Sequence, residues 1–523
     1  MANKQQVLKA IKSTGILGAI AAFTVLIFGG LSGAVIGWLL GTAIGFMRTQ
    51  DKPIPNPSIG ARIGATAGLG LGVWILIAGI LEAVVVRPIS GQSSANFPQS
   101  LLYGFIALVI STLAAGLMGA LAGLPAVRKQ QAILVTLAFT LIIFPFVDQV
   151  AQTNWIATVV QIQIFVMLAL GLNITVGFAG LLDLGYAAFF AIGAYTTALL
   201  SSPQLNIEWN FWLVLPIAAF VAAIFGLILG SPTLRLRGDY LAIVTLGFGE
   251  IVPVLFRNLT AVQINEPISA ILATLLGRPE MTICLLGCES PINLTGGEAG
   301  INPIGRPVLP IIGAFSSSNY LPWYYLILFL VVFAYFMIGR LRDSRLGRAW
   351  TAIREDELAA SAMGINLVKT KLLAFAMGAT FSGFAGSFYA AYISAIFPSV
   401  FDFSVSVIIL CMVILGGLGN MTGVILGGII IMAADRLYLP QLAQVLKNFL
   451  NTSVLPNIGN PAFRDFVATS IDPIQMRLFL FGLTLVIMMI VRPEGLVPDA
   501  MRRAEFHSDD QASQESLTDA RSQ

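Results

Sequence analysis

Long, unbroken apolar runs leave this chain few ways to fold. They cover residues 131–147, 155–177, 181–200, 211–230, 240–256 and 321–340, then 371–394, 403–417, 421–437 and 478–491. A membrane-spanning helix needs about 20 mostly apolar residues. Lipid offers the backbone no hydrogen-bond partners, so only helices and closed barrels cross a bilayer. Barrel strands alternate apolar and polar residues, and these runs do not. Composition agrees, with 57% hydrophobic and 11% charged residues, against about 25% charged in soluble domains. The expected fold is all-α, a polytopic transmembrane helical bundle.

Residues 1 to about 125 read as an extension to that bundle. A short basic lead, Met1–Thr14, precedes an apolar stretch over 15–47 that carries Gly29, Gly33, Gly37, Gly41 and Gly45. Residues 60–86 carry Gly60, Gly64, Gly68 and Gly72. Glycine at every fourth position makes a smooth helix face, and two such faces let backbones approach closely. The pattern predicts a glycine-zipper transmembrane hairpin turning at Asp51–Pro57, with a third run over 101–124. Whether 15–47 makes one tilted helix or two short passes stays open. The run from Gly15 is too long for a cleavable signal peptide, and no clear cleavage site follows it. The core bundle is expected over 126–500, and the polar tail over 501–523 is expected to be disordered and cytoplasmic.

Orientation follows from Lys and Arg in short connections, which stay cytoplasmic. Arg128 with Lys129, Arg235 with Arg237, the segment 340–371, and Arg492 with Arg502 and Arg503 all fall on one side if the passes alternate. That count needs 403–437 to cross twice, turning at the LGGLGN of residues 415–420, and it places 257–320 and 438–477 outside.

Several functions are excluded early. Net charge is +3 with no basic patch interleaved with aromatics, so no nucleic-acid partner is expected. His507 is the single histidine, which argues against a His-based metal site or catalytic triad. Cys284 and Cys288 are either small hydrophobic residues or, if outside, a disulfide; Cys411 sits alone in an apolar run. No GxxxxGK[ST] phosphate loop occurs, and no soluble stretch is long enough for a nucleotide-binding domain. If ATP drives this protein, another chain hydrolyses it, and no cofactor is expected on this one.

The segment RLRDSRLGRAWTAIREDELAASAMGINLVKTK, residues 340–371, is a charged island between apolar runs. Asp356 can cap a short helix over 357–363, and Gly364 can end it in the left-handed conformation. Such a helix is a rigid knob for a partner's groove; an ordinary inside-positive loop is the other reading. A second constellation runs from Gly171 through Asn173, Gly177, Gly180, Asp183, Gly185 and Tyr186 to Tyr195. Glycines permit broken helices facing a substrate, and intramembrane acids mark function by default. For Asp183, a helix N-cap near the inner surface is the slightly favoured reading over substrate contact. In a third, LRLRGDYLAIVTLGFGE over 234–250, Glu250 lies deep enough that it must be paired, protonated or facing water.

These blocks resemble the permease subunits of branched-chain amino-acid ABC importers, the LivM-like kind in particular. The likeness rests on GLNITVGFAGLLDLGYAAFFAIGAY at 171–195, LRLRGDYLAIVTLGFGEI at 234–251, LTGGEAGI at 294–301, GRAWTAIREDELAASAMGINLVKTKLLAFAMGA at 347–379 and VILGGLGNMTG at 413–423. Urea-importer permeases share similar blocks. The resemblance implies an ABC importer permease fold in a bacterial inner membrane and a second homologous permease subunit as partner. It implies two cytoplasmic ATPase subunits that use the ATP, and a periplasmic amino-acid-binding protein. Carried over, ELAASAMG at 357–364 is similar to the coupling motif that docks into the ATPase. The candidate coupling residues are then Arg354, Glu355, Asp356, Glu357, Ala360 and Gly364; the candidate path residues are Asn173, Gly177, Gly180, Asp183, Gly185, Tyr186 and Glu250. Two segments depart from the pattern, the extension and the outer stretch 259–292. A reading of a different class is an ion-coupled secondary transporter working through Asp183 and Glu250. A structural membrane anchor fits only the extension.

Overall fold

Helices form wherever the sequence is continuously apolar, as backbone pairing in lipid requires. The structure is a computed structural model of the protein; it describes residues 17–29, 32–51, 57–83, 97–122, 124, 126–205, 207–233, 239–262, 292–310, 313–451, 477–491 and 495–497. The first helices are α1 (Leu17–Phe28), α2 (Ser32–Asp51), α3 (Pro57–Leu81), α4 (Phe97–Ala122) and α5 (Ala126–Ala151). Next come α6 (Ile156–Leu172), α7 (Tyr186–Ser201), α8 (Phe211–Thr233) and α9 (Asp239–Asn258). A two-stranded hairpin, β1 (Val308–Leu309) with β2 (Gly313–Ala314), precedes α10 (Leu321–Arg342). Then follow α11 (Arg345–Glu355), α12 (Glu357–Ala362), α13 (Leu367–Ile393), α14 (Phe403–Gly416), α15 (Met421–Ala433), α16 (Leu439–Phe449) and α17 (Arg477–Val491). Among the described residues, nine helices are long and apolar enough to cross a membrane. The polytopic helical class is what the sequence led us to expect.

The chain divides into two compact units, residues 1–158 with 434–477, and residues 159–433 with 478–523. In the first unit, the apolar stretch 15–47 makes two helices, broken at Gly29 with φ of +62°. The glycine faces do not chiefly meet each other as the hairpin reading supposed. Both lie against α4. A Cβ on Gly60 would overlap the Gly119 carbonyl, and one on Gly64 the Ala115 carbonyl. On α2, a Cβ at Gly41 would stand 3.0 Å from the Ser111 carbonyl. The reason is that α4 carries its own small residues at every fourth position: Ala107, Ser111, Ala115 and Gly119. The Ser111 hydroxyl donates to the Gly68 carbonyl at 3.1 Å, a bond only possible at such close approach. The expected turn lies at 52–56, outside the described residues.

Further along the same unit, Asp148 is buried, and its carboxylate accepts from the backbone N–H groups of Trp155 and Ile156 at 3.0 and 3.3 Å. It thereby satisfies donors that the start of α6 would otherwise leave free.

In the second unit α6, α7 and α13 form the buried centre. Gly193 of α7 stands against Gly383 of α13, where a Cβ would come within 2.6 Å of the Gly383 Cα. The Thr197 hydroxyl donates to Ser387 across the same contact at 2.7 Å. The outer faces of α8 and α10 expose Phe220, Ile228, Phe329 and Phe336, as lipid-facing surfaces should. Connections of this unit collect at two ends. At one end Gly305 N–H donates to the Ser201 carbonyl, Ile301 pairs with Ile396, and Arg257 meets Glu298 and Asp402 at 3.3 and 3.7 Å. At the other end lie 179–185, 343–366 and 417–420. The segment 340–371 and the turn at 415–420 thus share one end, as the count of passes expects; Arg235, Arg237, Arg492, Arg502 and Arg503 lie outside the described residues. Cys284, Cys288 and most of the outer stretch 259–292 lie outside the described residues.

Two alanine substitutions check this packing. Gly64→Ala forces a methyl into the α4 backbone and should destabilise by about 1–3 kcal/mol, as overpacking does. Gly247→Ala on α9 meets open space and should be neutral or stabilising by up to about 1 kcal/mol. Unfolding of the detergent-solubilised proteins measures both.

Candidate functional site

The charged island folds into two short helices hung between α10 and α13. The Ser344 hydroxyl accepts from Gly347 N–H at 3.3 Å and starts α11. Gly347, Trp350 and Ile353 recur every third residue and form its buried face. Trp350 Nε1 donates to the Thr370 carbonyl at 2.7 Å, fastening α11 to the base of α13. Asp356 is extended, with φ of −154°, which breaks the helix. Its carboxylate then accepts from Leu358 and Ala359 N–H at 2.7 and 3.0 Å and caps α12. Gly364 adopts φ of +85°, and Ile365 N–H closes back on the Ala360 carbonyl at 3.1 Å. A short helix between these two stops was read from the sequence, and it forms.

Charge is used differently from what the sequence suggested. Glu357 Oε1 accepts from Lys371 Nζ at 2.5 Å, and the Lys371 side chain is only 7% exposed. A cation that deep requires a partner, so Glu357 is engaged within the chain. Asp356 is engaged in capping, and Ala360 is buried. The surface that α12 leaves free is apolar: Leu358 is 72% exposed and Met363 84%. Sequence reasoning weighed the acids and passed over these two. A signal existed, since they are the only large apolar side chains between Ile353 and Ile365. Glu355 and Gly364 are exposed beside them.

Arg354 turns inward. Its guanidinium donates to the Gly177 carbonyl at 2.5 Å. That carbonyl belongs to a π-helical segment, Asn173–Phe178, which continues α6. On the same segment the Asn173 side-chain oxygen accepts from Gly419 N–H at 3.0 Å, in the glycine-rich turn between α14 and α15.

The remaining candidate path residues are mostly buried inside the bundle. Asp183 is 1% exposed in the connection 179–185. One of its oxygens accepts from Gly185 N–H at 3.0 Å, and the other has no hydrogen-bond partner among the described residues. Gly185, not Asp183, is the N-cap of α7, so the N-cap reading fails by two residues. The start of α7 is instead met by the Ser406 hydroxyl, which accepts from Ala187 N–H at 2.9 Å. Burial pushes the Asp183 carboxyl up to about 7, against the lowering effect of its Gly185 hydrogen bond. The Tyr186 hydroxyl is fully buried and donates to the Gly378 carbonyl at 3.0 Å. Gly180, exposed, takes φ of +69° beside the Arg354 stem. Glu250 alone of the candidate acids lies on an outward face, near the middle of α9. Exposed Ile243, Val244, Ile251 and Val254 surround it there. It has no ion-pair partner among the described residues.

At the opposite end of this unit is an open cleft of about 470 Å³, lined by Ser201, Glu208, Trp209, Phe211, Ile304 and Arg306 among others. Trp212 Nε1 donates to the Val308 carbonyl at 2.9 Å and holds the β-hairpin beside it. Neither Glu208 nor Arg306 is ion-paired among the described residues. No group of three or more His, Cys, Asp or Glu side chains is placed to hold a metal ion among them.

Spanning helices around a buried centre, with a capped knob between two of them, define a multi-pass helical membrane protein. Comparison with known proteins narrows this. The chain belongs to the family described as branched-chain amino acid transport system / permease component, whose model matches residues 154–489. It is 39% identical to the Escherichia coli K12 high-affinity branched-chain amino acid transport system permease protein LivM, over 71% of this chain and 75% of that one. The probable branched-chain amino acid transport permease protein LivM of Methanocaldococcus jannaschii is 26% identical, over 59% and 74%. A shorter match, 31% identical over 22% of this chain and 37% of the other, is to the E. coli K12 permease protein LivH. No solved structure matches the chain. The chain is thus a transport subunit and not an enzyme.

The raised Asp183 carboxyl has a consequence for stability. Its contribution is fully present below about pH 4 and is lost as pH rises through about 7, where burial must hold a charge. Asp183→Asn keeps the acceptor for Gly185 and removes the charge. Its melting temperature should exceed wild type near pH 8, and the gap should shrink toward pH 5, in thermal unfolding at matched ionic strength.

Proposed function

We propose that this chain is a permease subunit of an ATP-driven importer for branched-chain or other neutral amino acids in a bacterial inner membrane. The names of its relatives support amino acids over urea. A second, homologous permease subunit completes the pathway; the partial likeness to LivH, itself a permease protein, supports such a pair. Two cytoplasmic ATPases hydrolyse the ATP, and this chain binds no cofactor of its own.

The observation that carries this reading is the exposed Leu358–Met363 surface on a helix stopped at both ends. Two large apolar side chains exposed together on one short helix in a charged connection suit a surface that a partner covers. The Asp356 cap and the Glu357–Lys371 pair make α12 rigid. A rigid knob transmits a push as a rigid-body movement. Closure of the ATPases on ATP would thus move α12, and with it α11 and the base of α13. The exposed charges Glu355 and Arg348 set orientation and register more than affinity.

On the opposite end, a periplasmic binding protein would meet the 470 Å³ cleft, where Glu208 and Arg306 offer both signs of charge and are not ion-paired among the described residues. Substrate would pass along the outward face of α9. Glu250 belongs there, since an unpaired acid facing lipid at mid-span is costly. Against ion coupling through Asp183 stand its burial and its engagement in the turn before α7.

Leu358→Asp and Met363→Asp should each lower both ATPase co-purification and uptake at least about tenfold, the loss expected when an interface anchor is removed. Membrane insertion should be unchanged. Wild-type uptake in both variants would refute the docking role. Arg306→Glu should slow uptake in a manner that grows at low ionic strength, because charges at the edge of an interface act on association rate. Uptake of labelled leucine against a panel of competitors measures the substrate.

A further inference from the structure

We infer that Arg354 is a positioning residue that carries movement of the coupling helix α12 into the bend at the end of α6. This rests on the ATP-driven reading above and adds the route by which the push enters the bundle.

The route begins with a backbone group left free. Helix α6 does not finish as an α-helix. Ala179 N–H bonds to the Ile174 carbonyl at 3.2 Å and Leu181 N–H to the Thr175 carbonyl at 2.9 Å. In a continuing α-helix the Leu181 N–H would bond to the carbonyl of Gly177. The chain turns away at Gly180, and the Gly177 carbonyl has to find another donor. Arg354 supplies it at 2.5 Å, and a cation at a helix C-terminus is also favoured by the helix dipole. The fit is specific. A Cβ on Gly180 would come within 2.8 Å of the Arg354 Cγ, so the arginine stem occupies space that a side chain at 180 would need.

Behind Arg354 is a body tied together by side-chain bonds. Trp350 is bonded to the Thr370 carbonyl at 2.7 Å and Glu357 to Lys371 at 2.5 Å, which joins α11, α12 and the first turn of α13. Arg354 is in the last turn of α11, two residues before the cap of α12. Ahead of it is the π-helical segment, a feature often found at functional sites. Gly177 has no side chain, which leaves room for the Asn173 amide. That amide oxygen in turn accepts from Gly419 N–H at 3.0 Å. A shift of α12 therefore reaches α6 through one charge-assisted bond and the α14–α15 turn through the next. Both bonds end on irregular backbone, which changes conformation more easily than a helix interior.

The experiment uses the whole transporter, with its permease partner and ATPases, in proteoliposomes. Three rates are read: basal ATP hydrolysis, hydrolysis stimulated by leucine-loaded binding protein, and leucine uptake. Arg354→Met should lower uptake at least about tenfold, and by more than it lowers either rate of hydrolysis. More ATP is then consumed per leucine moved. Arg354→Lys keeps the charge and one donor and should recover part of the uptake. Asn173→Ala, one link further on, should also uncouple. Hydrolysis and uptake falling in proportion, or wild-type uptake in Arg354→Met, would overturn the assignment. If Arg354→Met does not assemble, the lysine variant decides. Assembly with weakened coupling supports the route, and failure to assemble assigns Arg354 a purely structural role. A wild-type complex whose uptake needs no ATP would instead defeat the ATP-driven reading itself, before any variant is made.

Discussion

Lipid cannot hydrogen-bond a peptide group, and the rest of this structure depends on that. Every apolar run must pair its own backbone, so every run becomes a helix. Lipid also supplies no hydrophobic force between helices. They hold together by close van der Waals packing and by the few polar bonds that short distance permits. The paired small residues of α3 and α4, and of α7 and α13, serve this need. Where Gly64 faces Ala115, or Gly193 faces Gly383, backbones meet with no side chain between them. Ser111 and Thr197 then reach bonds across the gap.

The same constraint explains where the helical rule is relaxed. Irregular backbone inside a membrane protein is tolerated only where protein or water satisfies it. In the second unit the π-helical segment 173–178, the connection 179–185 and the turn 417–420 lie together at one end. Each is met by a side chain from elsewhere. Arg354 takes the Gly177 carbonyl, Asn173 takes Gly419 N–H, and the Thr245 hydroxyl accepts from Leu184 N–H at 3.1 Å. Substitutes of this kind cross-link segments far apart in sequence. They make the end facing the charged island a connected structure and not a set of loose turns.

The site was partly legible before any coordinates. Capping is local chemistry, so Asp356 and Gly364 announced α12 by their spacing alone. The two readings of the 171–186 block, path or cap, were open because burial is not a local property. Burial takes Asp183 and Tyr186 into the interior and leaves Glu250 on an outward face. Glu357 looked like a contact for a partner because the sequence does not show that Lys371, fourteen residues on, is buried and needs a counter-charge.

What the sequence by itself determined is everything set by short-range rules. These are the helical type of the spanning segments, the charged connection 340–371, the capped knob, and the family blocks from 171 to 423. Tertiary structure alone decided which faces pair. The glycine faces of α2 and α3 both chose α4, because small residues there make a closer fit than either offers the other. It also decided the direction of each charged side chain, since a free carbonyl at Gly177 exists only once α6 has unwound and Gly180 has turned. Arg354 is readable as one more inside-positive charge until the chain folds, and only then does it have a carbonyl to hold.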